Sequence, residues 1–197
     1  IIKNFNFDLT KNQKDIVTEI NNDLKSDFKM FRLLQGDVGS GKTIISFIAA
    51  ANVIKSNYQV TLMAPTEILA NQHYDLAKKI FANTDVRVEL LTGKLDSKER
   101  KKLNEDSLNG KISFLIGTHA LFQKNVFFKK LGLIIIDEQH KFGVNQRKKL
   151  SEKGGSNCDV LVMSATPIPR TMMMTLFGDM DITLIKSKPN NRKEINT

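Results

Sequence analysis

The sequence predicts a doubly wound α/β domain, in which helices cover both faces of a mainly parallel sheet. Its apolar segments are continuous rather than alternating, as residues 131–136 illustrate, and such segments are typical of strands buried on both faces. Stretches with helical periodicity separate these segments along the chain. A glycine-rich segment at residues 36–43 joins the first predicted strand to the next predicted helix. Together these observations indicate a regular order of strand, loop and helix.

The predicted elements follow from composition and periodicity, taken in order. The first helix begins at Thr10, because Ile16, Val17, Ile20 and Leu24 fall on one of its faces. The predicted helices cover residues 10–24, 44–51, 66–81 and 97–108. The predicted strands cover residues 30–34, 59–64, 86–91, 111–116, 131–136 and 159–163. Small or polar residues directly follow these predicted strands, at the end where a parallel sheet binds its ligands; they include Thr92, Gly117, Asp137 and Ser164.

A single domain accounts for most of the chain. Its 197 residues are enough to bury a substantial core without disulfides, and we assign residues 1–185 to this domain. The polar tail at residues 186–197 is typical of a linker. The first residues resemble neither a signal peptide nor a natural start, so we expect a segment of a longer parent protein.

The charge balance favours a polyanionic partner. Lysine and arginine number 30 against 21 for aspartate and glutamate, a formal net charge of +9. A solvated lysine-rich surface explains the same excess equally well. The single cysteine, Cys158, excludes a disulfide framework, and the three scattered histidines give no zinc spacing. No apolar run approaches the length of a membrane span, and we expect a cytoplasmic protein.

The segment at residues 36–43 fits the phosphate-binding P-loop pattern at every fixed position. Its residues are Gly36, Asp37, Val38, Gly39, Ser40, Gly41, Lys42 and Thr43. Glycines let backbone N–H groups approach phosphate oxygens, and the helix that follows adds unpaired N–H groups and a partial positive charge. Lys42 is expected to reach the β- and γ-phosphates, and the Thr43 hydroxyl to bind Mg²⁺. The alternative is a glycine-rich turn that a lysine happens to follow.

Two carboxylates follow the most apolar predicted strand. Asp137 can hold Mg²⁺ together with Thr43, and Glu138 can orient or activate the attacking water, as hydrolysis requires. The alternative is a pair of acids that ends a strand at a solvated turn. A GTPase would usually carry Asn-Lys-x-Asp after the P-loop, and the sequence has no such tetrapeptide. A nucleotide kinase needs no activated water, which disfavours that class.

Several further motifs lie at the ends of the predicted strands. Together with the P-loop they are GDVGSGKT at 36–43, MAPTE at 63–67, GTHALFQ at 117–123, DEQH at 137–140, HKFGV at 140–144 and SATPIPRT at 164–171. These motifs resemble the first motor lobe of superfamily 2 helicases, and the whole set is more closely similar to the RecG family of bacterial branch-migrating DNA helicases. The translocase of the transcription-repair coupling factor is also similar, but it usually has Asp-Glu-Glu-His where this chain has Gln139. The resemblance implies a RecA-like P-loop NTPase fold, a three-layer sandwich.

The resemblance also implies roles for individual residues. It makes Gln13 the adenine-reading residue, although Thr10 and Gln13 also have the spacing of a reciprocal helix cap. In the family, loops at these strand ends hold a DNA strand along its phosphates. The residues of this chain that match them are Thr66, Thr92, Gly93, Thr118 and His119. Ordinary turn and cap chemistry is the alternative for each of these. Residues that couple hydrolysis to movement match Gln139, His140, Ser164 and Thr166, the last two through hydrogen bonds towards Asp137 or Glu138.

For the parent protein, the resemblance implies an ATP- and Mg²⁺-dependent motor that acts on branched double-stranded DNA such as forks and Holliday junctions. It implies a monomer with a second RecA-like lobe, which supplies an arginine finger, and a wedge domain that grips DNA. Neither part lies within this chain, so the lobe alone should hydrolyse ATP weakly. One further departure is Lys141, where the family usually has an arginine with bidentate geometry.

Overall fold

The strands form one sheet, and every pairing between the described strands is parallel. The computed structural model describes residues 8–123, 125–137, 158–166 and 180–186. Its strands are β1 (Phe31–Gln35), β2 (Gln59–Met63), β3 (Val88–Leu91), β4 (Phe114–Gly117), β5 (Leu131–Asp137), β6 (Asp159–Ser164) and β7 (Asp181–Leu184). The predicted α/β class is therefore confirmed, with a sheet that is parallel throughout the described residues.

The order of the strands in the sheet is β3-β4-β2-β5-β6-β1-β7. The chain starts near one side at β1 and crosses over β6 and β5 to reach β2, so the direction of winding reverses inside the sheet. Because all strands run the same way, their carboxyl ends share one edge of the sheet. Open sheets of this kind bind ligands at that edge.

Helices lie on both faces of the sheet. They are α1 (Lys11–Asp23), α2 (Lys42–Lys55), α3 (Glu67–Ile80) and α4 (Ser97–Leu108). Residues of α1, α2 and α3 pack in one apolar cluster, whereas Leu103 of α4 belongs to a second cluster on the other face. Neighbouring strand residues alternate between the two clusters, as Leu133 and Ile134 do. The continuous hydrophobicity of the strands thus reflects burial on both faces.

The predicted strands and helices are present, with shifted ends. The strand predicted at 111–116 begins at Phe114, because Lys111 N donates to the carbonyl of Asp106 in a turn. The helix predicted at 44–51 begins at Lys42 and continues to Lys55. Strand β7 was not predicted at all. No described helix has the length and apolar character that crossing a membrane requires.

A buried arginine attaches the edge strand β7 to the rest of the fold. The Arg32 side chain on β1 is 7% exposed, and its guanidinium contacts Glu19 at 2.6 Å and Asp23 at 2.7 Å, both on α1. The same group donates to the Thr183 hydroxyl of β7 at 2.6 Å. Arg32 therefore holds α1, β1 and β7 together through charge-assisted hydrogen bonds.

Two groups lie at the start of β6, at the opposite edge of the sheet from the P-loop. Cys158 is fully buried, and burial raises the pKa of its thiol to about 12, so the thiol stays protonated at neutral pH. Burial likewise raises the pKa of Asp159, although Met30 N donates to its carboxylate at 2.8 Å. Neither group belongs to the candidate site.

Candidate functional site

The P-loop follows β1 and turns directly into α2. Gly39 and Gly41 have φ angles of 79° and 97°, a left-handed conformation that favours glycine. A Cβ on Gly41 would lie 2.4 Å from Nε2 of Gln13, so any larger residue at this position would displace the Gln13 amide. Because α2 starts at Lys42, the N–H groups of its first turn lie next to these glycines.

The Lys42 ammonium lies within the loop itself. Its Nζ donates to the carbonyl oxygen of Gly36 at 2.6 Å and to that of Asp37 at 2.9 Å. Both acceptors are neutral, and a phosphate oxygen would replace them with a charged acceptor that forms a stronger hydrogen bond. The position of Lys42 therefore suits the phosphate-binding role that the pattern predicts.

Gln13 connects the start of α1 with the P-loop. Its Oε1 accepts from Thr10 N at 2.9 Å and its backbone N donates to the Thr10 hydroxyl at 3.2 Å, which forms the reciprocal cap that its spacing allows. Its Nε2 donates to the Ser40 carbonyl at 2.8 Å. The Ser40 hydroxyl is buried and has no hydrogen-bond partner among the described residues. The cap thus leaves the Gln13 amide on the P-loop, where a base could be read.

Asp137 ends β5 and is 8% exposed. Its Oδ2 lies 2.8 Å from Nε2 of His73, a residue of α3 that is also 8% exposed. The His73 ring packs near Phe47 of α2, with ring centroids 6.3 Å apart. Sequence reasoning missed this contact, because His73 was considered only as a zinc ligand and its partner lies 64 positions further along the chain.

The residues predicted to couple hydrolysis to movement are described only in part. Glu138, Gln139 and His140 lie outside the described residues. Among the described residues, the hydroxyls of Ser164 and Thr166 lie 3.2 Å from each other, and neither contacts Asp137. Thr166 N also donates to the Ser164 hydroxyl, closing a local turn that engages both side chains. The coupling role of Ser164 and Thr166 stays a prediction, because Glu138, the other expected partner, lies outside the described residues.

The carbonyls of this turn contact the start of the P-loop. The Ser164 carbonyl accepts from Gly36 N at 3.2 Å, and the Thr166 carbonyl accepts from the Gln35 side chain at 2.9 Å. On the other side of β1, Ile185 N donates to the Gln35 carbonyl at 2.8 Å, and Lys186 N donates to Asn12 Oδ1 at 3.0 Å. The ends of β6, β1 and β7 are therefore joined directly around the loop.

The residues predicted to hold nucleic acid follow strands β2, β3 and β4. Thr66 is exposed and caps α3, where its hydroxyl accepts from Leu69 N at 3.3 Å. Thr118 is buried and its N–H donates to the Leu91 carbonyl, whereas His119 is exposed in a short 3₁₀ helix. Thr92 is buried, and its carbonyl accepts from Arg100 Nη2 at 3.0 Å. These loops are neighbours because β3, β4 and β2 are adjacent in the sheet.

Glu67 links two of these loops and was not predicted. Its Oε1 accepts from Gly93 N at 3.2 Å, and its Oε2 lies 3.1 Å from the exposed ammonium of Lys94. Gly93 and Lys94 follow β3, whereas Glu67 follows Thr66 at the start of α3. Glu67 therefore fixes the spacing between the loops that follow β2 and β3.

The sheet order divides the edge into two regions. We call the ends of β5, β6 and β1, with Asp137, Ser164 and the P-loop, the nucleotide half. The ends of β3, β4 and β2, with Thr92, Thr118 and Thr66, form the loop half. Strands β2 and β5 pair directly, so the two halves meet without an intervening element.

The donor set of the nucleotide half fits Mg²⁺. Thr43 offers a hydroxyl at the start of α2, and Asp137 offers a carboxylate oxygen that His73 does not engage. Mg²⁺ prefers such hard oxygen ligands and usually takes the remainder from phosphates and water. The glycines, Lys42 and the start of α2 likewise fit a polyphosphate.

Comparisons with known proteins show the family to which the chain belongs. Residues 10–175 match the family model of the DEAD/DEAH box helicases. The chain is 53% identical to the ATP-dependent DNA helicase RecG of Bacillus subtilis (strain 168) over 196 residues, covering 100% of this chain and 29% of that protein. It is 51% identical to RecG of Aquifex aeolicus (strain VF5), covering 100% of this chain and 25% of that protein.

A solved structure shows the same fold. The structure of RecG bound to a three-way DNA junction superposes with a TM-score of 0.85 at 44% sequence identity, covering 98% of this chain and 26% of that chain. The chain thus spans less than a third of the length of the relatives it matches. The family match and the similarities over the whole of this chain show that it belongs to the DEAD/DEAH box helicase family and is similar throughout to the first motor lobe of the RecG helicases.

Proposed function

We propose that this chain is the ATP-binding motor lobe of a double-stranded-DNA translocase that remodels replication forks and recombination junctions. The observation that carries the proposal is the division of one sheet edge into a nucleotide half and an adjoining loop half. A motor needs both sites on one rigid element, so that a change at the nucleotide reaches the nucleic acid. The similarity to a RecG structure bound to a three-way junction supports branched DNA as the substrate.

In the nucleotide half, Lys42 and the P-loop N–H groups would bind the phosphates of ATP, and Gln13 would read adenine. Thr43 and Asp137 would hold Mg²⁺, which supplies charge neutralisation on the phosphates when bound. Glu138 would position the attacking water. The coupling of ATP hydrolysis to the loop half would depend on Gln139, His140, Ser164 and Thr166.

In the loop half, Thr66, Thr92, Gly93, Thr118 and His119 would contact the phosphates of one DNA strand. Such contacts position a protein on DNA without reading sequence. The proposed partners within the parent protein are a second RecA-like lobe, which supplies an arginine finger, and a wedge domain. The parent would act as a monomer in the bacterial cytoplasm, at the nucleoid.

A DNA-stimulated ATPase assay tests the proposal. An arginine finger from a second lobe contributes ~10³–10⁵ in turnover, so we expect this chain alone to bind ATP and hydrolyse it slowly. In the full-length parent, branched duplex DNA should stimulate hydrolysis more than RNA does, and Lys42→Ala should abolish fork unwinding. Unwinding that survives Lys42→Ala would contradict the motor assignment.

Stronger stimulation by RNA would contradict the DNA substrate. Turnover by this chain alone at the rate of the complete motor would refute the need for a second lobe. Equal activity on forks and on transcription complexes stalled at lesions would favour the transcription-repair coupling translocase instead. Binding of nucleotide and DNA without hydrolysis in the full-length protein would reduce the function to that of a binding module.

A further inference from the structure

A buried contact without an assigned role joins His73 to Asp137 at 2.8 Å. We propose that His73 is a positioning residue for Asp137, which holds the carboxylate in the orientation that receives Mg²⁺. The inference rests on the proposed function, because it deepens the role of Asp137 in the nucleotide half. It concerns a residue of α3, a helix for which the sequence predicts only a nucleic-acid contact at its N-cap, Thr66.

The position of His73 on α3 is unusual for a histidine. The buried positions of this helix are Ala70, His73, Ala77 and Ile80, a spacing that forms the stripe facing the sheet. The other members are apolar and belong to the core cluster of this face. A polar ring in such a stripe costs free energy unless a partner satisfies it, and Asp137 is that partner at 2.8 Å.

The chemistry of the pair fixes the direction of the hydrogen bond. An ionised carboxylate only accepts, so the His73 Nε2–H donates to Oδ2 of Asp137. The torsion that rotates a carboxylate about its Cβ–Cγ bond is broad, and nothing intrinsic to aspartate holds it. The hydrogen bond supplies that restraint, and it leaves Oδ1 as the oxygen that His73 does not engage.

The His73 ring is itself held in place. It lies against Phe47, which is fully buried on α2, the helix that begins at the P-loop. The imidazole is therefore packed between the helix that would carry the phosphates and the strand that would carry the metal ligand. This arrangement suits a group that sets the position of Asp137 relative to the P-loop.

The restraint matters because Mg²⁺ demands near-ideal octahedral geometry. Hydrogen bonds that orient a metal-binding carboxylate typically change metal affinity by ~10–100-fold when they are removed. A satisfied core histidine without this role would change the stability of the fold and leave the metal dependence of nucleotide binding intact. The two roles thus differ in a measurable quantity.

The experiment compares nucleotide affinity with and without metal. A fluorescent adenosine diphosphate is titrated with the chain in Mg²⁺ and again in a chelator, and the ratio of the two affinities gives the metal contribution. We expect His73→Leu to lower this ratio by ~10–100-fold while the affinity in chelator stays unchanged. His73→Gln should restore most of the ratio, because its Nε2 stands the same number of bonds from the backbone as that of histidine.

Controls separate positioning from folding and from the proposed function. If His73→Leu does not fold, His73→Met replaces it, since its flexible side chain fills irregular space. In an Asp137→Ala background, His73→Leu should leave the already reduced ratio unchanged, because no carboxylate remains for His73 to position. An unchanged ratio in folded His73→Leu, or an equal loss in His73→Gln, would overturn the proposal. Failure of the unsubstituted chain to bind nucleotide in either condition would instead overturn the proposed function, and with it this role.

Discussion

Gln13 serves both as half of a helix cap and as a contact to the P-loop, and the two roles can be separated. We expect Gln13→Ala to lower the free energy of unfolding by about 1 kcal/mol through loss of the cap. It should also reduce the preference for ATP over GTP about tenfold or more, because no amide remains to read the base. Thermal denaturation and competition against a fluorescent nucleotide measure the two effects.

Thr10→Ala provides the matched control for this prediction. It removes the hydroxyl that accepts from Gln13 N but leaves the Gln13 amide in place. We expect a similar loss of stability with the base preference intact. A lost preference in Thr10→Ala would mean that the cap, and not the amide, determines which base is bound.

The raised pKa of Asp159 predicts that this carboxyl group stabilises the fold at low pH, the opposite of the usual case for an aspartate. Burial raises the pKa of this carboxyl in the folded protein above its usual value of 3.8. Its contribution to stability is therefore fully present below pH 3.8 and is lost as the pH rises through the raised pKa. Asp159→Asn keeps an acceptor for Met30 N, so we expect it to be more stable than the unsubstituted chain at pH 7. The difference should vanish on acidification.

Asp106 provides the opposite case for the same measurement. The hydrogen bond from Arg87 lowers the pKa of this carboxyl below 3.8, so its stabilising effect is present above that pH and is lost as the pH falls through the lowered pKa. Asp106→Asn should be less stable than the unsubstituted chain at pH 7, with a deficit that disappears in acid. Denaturation in urea across the pH range measures both variants, and parallel profiles for the two would contradict the assignment of these shifts.

At the scale of the element, Arg32 adds side-chain hydrogen bonds to the backbone pairing that holds β7 against β1. We expect Arg32→Lys to cost about 2–4 kcal/mol, because a lysine keeps the charge but cannot donate to Glu19, Asp23 and Thr183 at once. Hydrogen exchange at Ile185 N, which donates to the Gln35 carbonyl, should accelerate first. Urea denaturation gives the free energy.

The control for this substitution is Arg87→Lys. Arg87 also contacts two carboxylates, those of Glu89 and Asp106, but its side chain is 40% exposed. Exposed ion pairs contribute ~0–1 kcal/mol, so this exchange should cost less than the one at Arg32. Equal costs would show that burial of the guanidinium is not what makes Arg32 important.

Strand β7 also shows what sequence reasoning could not reach. Its inward residue is Thr183, which meets Arg32, whereas the apolar Ile182 and Leu184 are 36% and 48% exposed. The polarity pattern is therefore inverted relative to a strand that packs on a core, and four residues give no other signal. The central strands were predictable because both of their faces are buried.

In the candidate site, too, the sequence predicted some features and missed others. The P-loop and Asp137 are local patterns at strand ends, which spacing along the chain can indicate. The contacts of His73 with Asp137 and of Glu67 with Gly93 join separate elements. Only the packing of α3 against the sheet brings these partners together, so no local pattern could reveal them.

For the whole molecule, the division of the sheet edge predicts that the two halves can be weakened separately. His119 is exposed in the loop half, and His119→Glu adds a negative charge where DNA phosphates are proposed to lie. We expect about tenfold weaker binding of a labelled duplex at low salt, with unchanged affinity for nucleotide. Fluorescence anisotropy measures the first and nucleotide titration the second.

Thr18→Glu controls for net charge, because Thr18 is exposed on α1 outside the loop half. It should leave duplex binding nearly unchanged. If both substitutions weakened binding equally, DNA would be attracted by overall charge and not by the loop half.

The hydrogen bond between Lys186 N and Asn12 has a mechanical consequence. Asn12 directly precedes Gln13, so the residue proposed to sense adenine and the anchor for the chain leaving β7 sit on the same turn of α1. A shift of that turn on base binding would therefore reach the end of β7 through this one hydrogen bond, without passing through the sheet.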